Sequence, residues 1–289
     1  MIKIAVPATS ANCGVGFDCL GMAMDWWATF TFEKSDVLQI SGCPTQFQNE
    51  ENLVVQSFYA TCDALDKEHP VFSLHMDNEI PFQRGLGTSA LCIVAGILAA
   101  DQWFDAHLDP MQMLSLATEI EGHPDNVAPA IFGQAVVSVI DQGKPQMVSV
   151  PCANWQVLAM IPESAISTEQ ARNVLPASIE FPQACHQVAH ALIFSRALQI
   201  GDESLLFNSC KDVLHQPYRK QFIKQYDAIA DYCQEHQLPM WISGSGSTLI
   251  AVSMRSNALE DLKQWVEQTQ GIQTKKIRIA QKGATVLHE

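Results

Sequence analysis

Residues 72–104 constrain the fold most, because they follow the order strand, glycine-rich turn, helix. Residues 72–76 alternate apolar and polar side chains, as a half-buried strand does. A turn segment at 81–89 follows, and residues 90–104 are apolar, free of proline and of helical length. The order therefore places a glycine turn directly at the amino end of a helix.

The turn reads Arg84-Gly85-Leu86-Gly87-Thr88-Ser89. Its two glycines let the backbone adopt positive φ and approach a ligand closely. Thr88 or Ser89 can cap the following helix, whose free N–H groups and positive dipole end favour a phosphate. The segment lacks the G-K-[ST] ending of a Walker P-loop and does not match G-x-G-x-x-G. Taken alone, it is explained equally well by a helix cap after a tight turn.

Composition and charge limit the classes of protein. The 289 residues are enough for one large or two modest domains, and 47% hydrophobic with 17% charged residues is typical of a globular chain. The net charge of −14 disfavours binding to nucleic acid or to an anionic membrane. We expect no partner of either kind.

The amino terminus and the cysteines favour the cytoplasm. Residues 1–7 predict a short strand and lack the apolar core of a signal peptide. The most apolar stretch, 90–100, is shorter than the ~20 residues needed to span a bilayer. None of the nine cysteines forms a C-x-x-C pair, which favours free thiols in a reducing compartment.

The rest of the chain predicts a mixture of helices and strands. Helices are predicted at Pro110–Glu121, 183–200, 202–214, 219–236 and 258–269, and strands at 135–140, 157–161, 241–242, 248–252 and around 277. A turn is predicted at 141–145. Helix-rich stretches with returning strands suggest an α+β second half. We expect two domains, 1–153 and 154–289.

Three further segments carry polar groups that suit a binding site. Asn12 and Asp18, in the small-residue loop 6–18, could hydrogen-bond an amine or a hydroxyl, or form an Asx-turn. Glu121 could hold Mg²⁺, and Asp125 is a candidate base or electrostatic partner, although the turn between them could be purely structural. The Gly-Ser segment 243–248 ordinarily predicts a hairpin.

A zinc site is the one alternative metal chemistry that the sequence raises. His186 and His190 lie on one face of a predicted helix. However, Gln187 stands where the H-E-x-x-H motif requires a glutamate as general base. We therefore expect no zinc hydrolase.

Together the four segments resemble the GHMP small-molecule kinases. The matching residues are 7–18, 81–90, 121–126 and 243–248, which span almost the whole chain in the family's order. The second segment marks the superfamily, and the first and third point to its homoserine branch. The resemblance implies an α+β, two-domain GHMP kinase fold. Its amino-terminal α/β domain would be ribosomal-protein-S5-like and bind ATP, and its carboxy-terminal α+β domain would be ferredoxin-like.

The resemblance also implies an activity and a set of site residues. The reaction would be ATP- and Mg²⁺-dependent phosphorylation of the side-chain hydroxyl of L-homoserine, a step of threonine biosynthesis, in a homodimer. ATP would contact Asn52 near the adenine and Pro81, Arg84, Gly85, Leu86, Gly87, Thr88, Ser89 and Ala90. Glu121 and Ser89, or Thr88 in its place, would hold Mg²⁺, and Asp125 would lie near the reacting hydroxyl as a base or an electrostatic partner.

Homoserine would contact Asn12, Asp18, His123, Asn126, Arg172, Arg219 and Gly244. Asp18 suits the substrate ammonium in a charge-assisted contact, and guanidinium groups suit a planar carboxylate. Two alternatives stay open: another GHMP kinase acting on mevalonate, a sugar or a diphosphocytidyl alcohol, and a non-catalytic ATP-binding protein of the same fold. Asp18 discriminates against mevalonate, whose only charge is negative.

Overall fold

The computed structural model describes residues 1–288, and the expected second domain includes one residue, 289, outside that range. The strands are β1 (Ile2–Ala11), β2 (Leu20–Lys34), β3 (Gln39–Ser41), β4 (Phe72–Asp77), β5 (Ala135–Asp141), β6 (Lys144–Val150), β7 (Gln156–Ile161), β8 (Met240–Ile242), β9 (Leu249–Ser253), β10 (Gln273–Arg278) and β11 (Thr285–Val286).

The α-helices are α1 (Leu53–Ala64), α2 (Thr88–Phe104), α3 (Pro110–Glu121), α4 (Pro124–Phe132), α5 (Thr168–Asn173), α6 (Phe181–Ile200), α7 (Glu203–Ser209), α8 (Gln216–Arg219), α9 (Tyr226–Glu235) and α10 (Ser256–Thr269). Short 3₁₀ helices span Thr45–Phe47 and Lys220–Phe222. Among residues 1–288, no helix combines the length and the apolar character that crossing a bilayer requires.

The first sheet has the strand order β11-β1-β2-β4-β3, with β5 and β6 continuing from the other end of the long strand β2. Helix α2 packs on it and is buried at every position of 90–101, so it forms the centre of the larger core. Small residues permit this packing. Gly96 of α2, for example, faces the backbone of α1 so closely that a Cβ would overlap the Val54 carbonyl oxygen.

The second sheet has the order β10-β7-β9-β8 and is covered on both faces. Because side chains alternate along a strand, Val157 and Ala159 of β7 enter the larger core while Leu158 and Met160 enter a second core. Leu259, Leu262 and Val266 of α10 complete that second core. Strand β11 then pairs with β1, so this last strand returns to the first sheet.

The predicted α+β class is confirmed, and the predicted elements of residues 72–161 are confirmed to within about two residues. Strands β2, β3, β6 and β11 and helices α1, α4 and α5 were not predicted. The domain boundary at 153/154 stays a prediction, because the two cores share strand β7.

Two predicted helices are wrong in length. Helix 202–214 ends at Ser209, because the buried Asp212 carboxylate accepts hydrogen bonds from the backbone N–H groups of 214, 215 and 216 and so favours a turn. Helix 219–236 is interrupted: α8 ends at Arg219, a 3₁₀ turn follows, and α9 begins only at Tyr226. The residue at the break, Ile223, is buried in the second core.

Candidate active site

One cavity of about 260 Å³ is lined by residues from both halves of the chain. Most of the residues predicted for the site lie on its wall: Asn12, Asp18, Gly85, Leu86, Gly87, Thr88, Ser89, Glu121, His123, Asp125, Asn126, Arg172, Arg219 and Gly244. The cavity thus has a glycine-turn side and a side of charged and amide groups.

The glycine turn has the backbone geometry that its sequence indicated. Gly85 and Gly87 have φ values of 72° and 67°, in the left-handed region. A Cβ at Gly87 would overlap the Thr9 hydroxyl, so the turn is packed tightly against β1. Thr88 and Ser89 are the first residues of α2 and line the cavity. The amino end of this buried helix is a favourable position for a phosphate.

Ser89 and Glu121 meet across the cavity wall. The Ser89 hydroxyl donates to the Glu121 carboxylate at 2.5 Å, although α2 and α3 place them 32 positions apart. Burial raises the pKa of the Glu121 carboxyl above its ordinary value, and the Ser89 hydrogen bond offsets part of that shift. A half-buried carboxylate beside a hydroxyl is a donor set that suits a hard divalent cation.

His123 and Asp125 lie at the start of α4, between the two sides of the cavity. The ring Nδ1 of His123 is 2.7 Å from Oδ1 of the buried Asp125, and this hydrogen bond raises the pKa of His123. The neighbouring Asn126 accepts a hydrogen bond from the Thr9 hydroxyl at 2.8 Å. Asp125 therefore faces the cavity with one oxygen already engaged.

On the opposite side Arg172 forms a two-pronged ion pair with Asp18. Its two terminal nitrogens are each 3.0 Å from a different Asp18 oxygen, and the contact raises the pKa of the guanidinium. Asn12 fixes the Asp18 backbone, because its Oδ1 accepts from the Asp18 N–H at 2.8 Å. The Asn12 amide also donates to the Gly244 carbonyl at 3.0 Å, which ties the loop to the other half of the chain.

Arg219 is the most deeply buried cation of the site, with 2% of its surface exposed. It donates to the carbonyls of Ala171 and Gly244, each at 3.0 Å, and lies 5.1 Å from the centre of the Phe17 ring. Burial lowers its pKa to about 10, so it stays charged at neutral pH. The cavity therefore holds two guanidinium groups opposite one Asp18 carboxylate.

Four predicted residues do not line this cavity. Arg84 donates to the backbone carbonyls of Pro162 and Glu163, and a contact of its side chain with phosphate stays a prediction. Asn52 caps α1 through the Val54 N–H at 2.9 Å and lines an adjoining apolar cavity of about 260 Å³. Pro81 and Ala90 line neither cavity.

Sequence reasoning missed several residues of the wall and of its support. The wall also contains Gln83, Ile166, Ser167, Thr168 and Ser245. The Ser167–Gln170 capping box, a visible helix-start signal, could have placed Ser167 and Thr168 beside Arg172.

The support behind the wall has no local sequence signal. Gln216 is buried and spans the two halves: its amide donates to the Gly14 carbonyl at 3.0 Å, and its oxygen accepts from the Ile242 N–H at 3.0 Å. Gln187 donates to the Val15 carbonyl at 2.7 Å and to Asp212 at 2.8 Å. These bonds hold the backbone of the Asn12–Asp18 loop in place.

Comparisons with known proteins agree with this arrangement. Residues 52–134 match the family model of the GHMP kinase N-terminal domain. A solved L. major mevalonate kinase superposes with a TM-score of 0.75 over 96% of this chain and 95% of that one, at 14% identity, and so shares the fold. The fold is that of the GHMP kinases.

Two homoserine kinases are more similar. One from Clostridium botulinum (strain Okra / Type B1) is 37% identical over 255 residues, 87% of this chain and 86% of that protein. The crystal structure of homoserine kinase from Cytophaga hutchinsonii superposes with a TM-score of 0.86 at 27% identity, over 99% and 97% of the two chains. The chain belongs to the homoserine kinase family of the GHMP kinases, as its four sequence segments predicted. Membership in a kinase family implies that it uses ATP.

Proposed function

We propose that this kinase transfers the terminal phosphate of ATP to the side-chain hydroxyl of L-homoserine, giving O-phospho-L-homoserine for threonine biosynthesis. The carrying observation is that Asp18 and Arg172 lie in one cavity with the glycine turn. A free α-amino acid has one ammonium and one carboxylate, and this pair offers one counter-charge to each. The names of the similar proteins support the same substrate.

The proposed binding mode divides the cavity into two parts. The backbone of the turn 85–89 and the amino end of α2 would hold the phosphates, and the apolar cavity beside Asn52 would hold the adenine. Asp18 would bind the substrate ammonium, and Arg172 and Arg219 its carboxylate. Asn12, His123, Asn126 and Gly244 would complete the substrate pocket.

Glu121 and Ser89, or Thr88 in place of Ser89, are the proposed ligands of Mg²⁺. Within residues 1–288 no group of three or more acidic, histidine or cysteine side chains could hold a metal by itself. One carboxylate and one hydroxyl fit Mg²⁺ nevertheless, because that ion usually keeps several waters and is shared with substrate phosphates. When bound, Mg²⁺ neutralises charge on the phosphates.

Asp125 is proposed to face the reacting hydroxyl. Its free oxygen could accept the hydroxyl proton, while its hydrogen bond to His123 fixes the direction of the carboxylate. Phosphoryl transfer depends mainly on positioning and charge neutralisation, so an electrostatic role is equally compatible with this geometry. We further propose that the enzyme is cytoplasmic and dimeric, with domains at 1–153 and 154–289.

The substrate assignment is tested by measuring ADP release with a panel of alcohols. L-homoserine should be the best substrate, and 4-hydroxybutyrate, which lacks only the ammonium, should lose at least about 50-fold in kcat/KM because the charge-assisted contact between the ammonium and Asp18 is lost. Mevalonate and hexoses should give background rates, and mass spectrometry should identify O-phosphohomoserine. Turnover of mevalonate but not homoserine would refute the substrate, and turnover of no alcohol would refute the kinase activity.

A further inference from the structure

The glycine turn is held from the other half of the chain by a buried serine. Ser243 directly follows β8 and is fully buried, and its hydroxyl donates to the Gly85 carbonyl at 2.6 Å. The two backbones are also in close contact there, because a Cβ at Gly85 would overlap the Ser243 carbonyl oxygen. The two residues are 158 positions apart. The conformation of the turn is therefore local, but its position relative to the rest of the cavity is not.

A second buried hydroxyl fixes the direction of this hydrogen bond. Ser10 of β1 is fully buried; its Oγ lies 2.8 Å from the Ser243 Oγ and accepts from the Trp241 indole N–H at 3.2 Å. A carbonyl can only accept, so the Ser243 hydrogen points to Gly85 and the Ser10 hydrogen points to Ser243. The result is a chain of three hydrogen bonds that runs in one direction, from the indole to the turn. A buried network in which every group has a partner favours a single arrangement.

The residue that follows Ser243, Gly244, belongs to the substrate side. Its carbonyl accepts from the Asn12 amide and from the Arg219 guanidinium, each at 3.0 Å. Its N–H donates to the Ala11 carbonyl of β1 at 2.9 Å. One peptide unit thus lies between a contact to the phosphate turn and the contacts to groups proposed for homoserine. Because that unit is planar and rigid, the contacts at its two ends move together.

We propose that Ser243 is a positioning residue, which sets the distance between the phosphates on the turn and the homoserine hydroxyl, and that Ser10 orients it. This role rests on the proposed function, because it is a part of that transfer. Neither serine lines the cavity, so both act through the Gly85 carbonyl and not through a contact with a substrate.

Loss of the Ser243 hydrogen bond should displace the turn without unfolding it. The other flank of the turn is held by Thr9, whose N–H donates to the Leu86 carbonyl at 3.2 Å and whose hydroxyl donates to Asn126 at 2.8 Å. These bonds involve neither serine, so each substrate keeps its own binding groups. Transfer, however, requires the hydroxyl to lie in line with the phosphate, and a displacement of about 1 Å can cost ~100-fold. The effect should therefore fall on kcat and not on either KM.

Steady-state kinetics of the full chain test the proposal. Ser243→Ala should lower kcat for homoserine phosphorylation by ~20-fold, while the KM of ATP and that of homoserine each change by less than ~threefold. The matched control is Ser138→Ala, at a serine of β5 that is also buried but whose hydroxyl has no hydrogen-bond partner within residues 1–288. It should keep the wild-type constants. An unchanged kcat in Ser243→Ala would refute the positioning role, and so would a rise in the KM of ATP at constant kcat.

A second variant tests the link through Ser10 and decides the question if Ser243→Ala does not fold. Ser10→Ala keeps the donor to Gly85 but removes the hydroxyl that orients it, so kcat should fall by ~fivefold with both KM values unchanged. A wild-type kcat in folded Ser10→Ala would refute the chain of hydrogen bonds as a positioning device.

Hydrogen exchange measures the same displacement without any substrate. The Thr248 N–H donates to the Arg84 carbonyl at 3.2 Å, across the contact between the two halves. This amide should exchange at least ~tenfold faster in Ser243→Ala than in the wild type, and at the wild-type rate in Ser138→Ala. Equal exchange in all three proteins would refute the tie between the halves. A wild type that phosphorylates no homoserine, but shows this difference in exchange, would refute the proposed function and leave the tie in place.

Discussion

The two sides of the active-site cavity are built in different ways. The glycine-turn side is five consecutive residues at the amino end of α2, and it presents mainly backbone groups. The opposite side gathers Asn12, Asp18, Arg172, Arg219 and Gly244 from separate segments, and it presents mainly side chains. The first side therefore depends on local backbone conformation, and the second depends on long-range hydrogen bonds that hold its segments together.

The comparison teaches which changes each side tolerates. On the turn side a single added Cβ displaces the backbone, whereas side-chain truncation removes little except at Ser89 and Thr88, which are proposed for Mg²⁺. On the opposite side a truncation removes a charge or a hydrogen bond, while the backbone is held by buried amides behind it. Substitutions on the turn side should thus change mainly the kinetic constants for ATP, and those on the opposite side mainly the constants for homoserine. Residues where the two sides meet should affect both.

The largest effect is expected at Asp125, where the two sides meet. If this carboxylate accepts the hydroxyl proton, Asp125→Asn should lower kcat by ~1000-fold with little change in either KM. Steady-state kinetics would measure it, with Asp109→Asn, which retains a helix-capping group outside the cavity, as the control. A loss below tenfold, about 1.4 kcal/mol, would contradict the base and leave the electrostatic role.

A backbone change on the turn side should be nearly as severe. Gly87→Ala forces a Cβ against the Thr9 hydroxyl at φ 67° and displaces the turn, so kcat/KM for ATP should fall by ~100-fold or more. The control Gly143→Ala has the same strained backbone, φ 77°, but open space around it. It should lose only about 1 kcal/mol of stability and retain activity. Equal kinetic losses in both variants would show that strain, not the turn, is responsible.

On the opposite side a loss of charge should affect one substrate only. Asp18→Asn removes the counter-charge of the ammonium, so kcat/KM for homoserine should fall by ~50-fold while the KM of ATP is unchanged. Asp25→Asn, at an exposed carboxylate, serves as the control. A parallel rise in the KM of ATP would mean that the two sides are not independent.

The same division explains what the sequence could predict. The turn, the strand before it and the helix after it are contiguous, so their order and their glycines predicted the turn geometry, although a plain helix cap explained the turn equally well. The other segments were grouped only by family resemblance, and the structure places them in one cavity. The resemblance could not foresee that Arg84 would bind the carbonyls of Pro162 and Glu163, because that contact depends on how the two halves pack.

The predictions of helix ends in the second half of the chain were wrong for a related reason. The apolar spacing of 202–214 is typical of a helix. However, the Asp212 carboxylate accepts hydrogen bonds from the backbone N–H groups of 215 and 216, which favours a turn there. Gln187, from α6, donates a hydrogen bond to the same carboxylate and so stabilises that turn. A tertiary contact therefore decided a local conformation, which no short window of sequence can show.

The supporting amides should have a moderate effect. Gln216→Ala leaves the Gly14 carbonyl and the Ile242 N–H without partners, so stability should fall by about 2 kcal/mol and kcat/KM for homoserine by ~tenfold. The KM of ATP should not change. Gln216→Glu keeps the acceptor for Ile242 and should recover part of the stability. Gln221→Ala, at an exposed glutamine, is the control. A shift in the KM of ATP would contradict a role confined to the substrate side.

The smallest effect on activity is expected at His215, which lies beneath that side. It is fully buried and stacks on Phe17 at 5.1 Å. Burial holds its pKa well below the ordinary 6.5, and this outweighs the attraction of Asp212. As the pH falls below about 6.5, this histidine is protonated in the unfolded chain but not in the folded chain. The free energy of unfolding therefore decreases by up to about 1.4 kcal/mol per pH unit below that value.

His215→Gln removes this titration. Its urea midpoint should consequently fall less than that of the wild type between about pH 7.5 and about pH 5, while activity at neutral pH changes by less than ~threefold. Equal losses of stability in the two proteins over that interval would show that His215 is protonated in the folded state. In that case a charged His215–Asp212 pair would support Phe17. The stability of the substrate side would then decrease, not increase, as the pH rises through the pKa of that histidine.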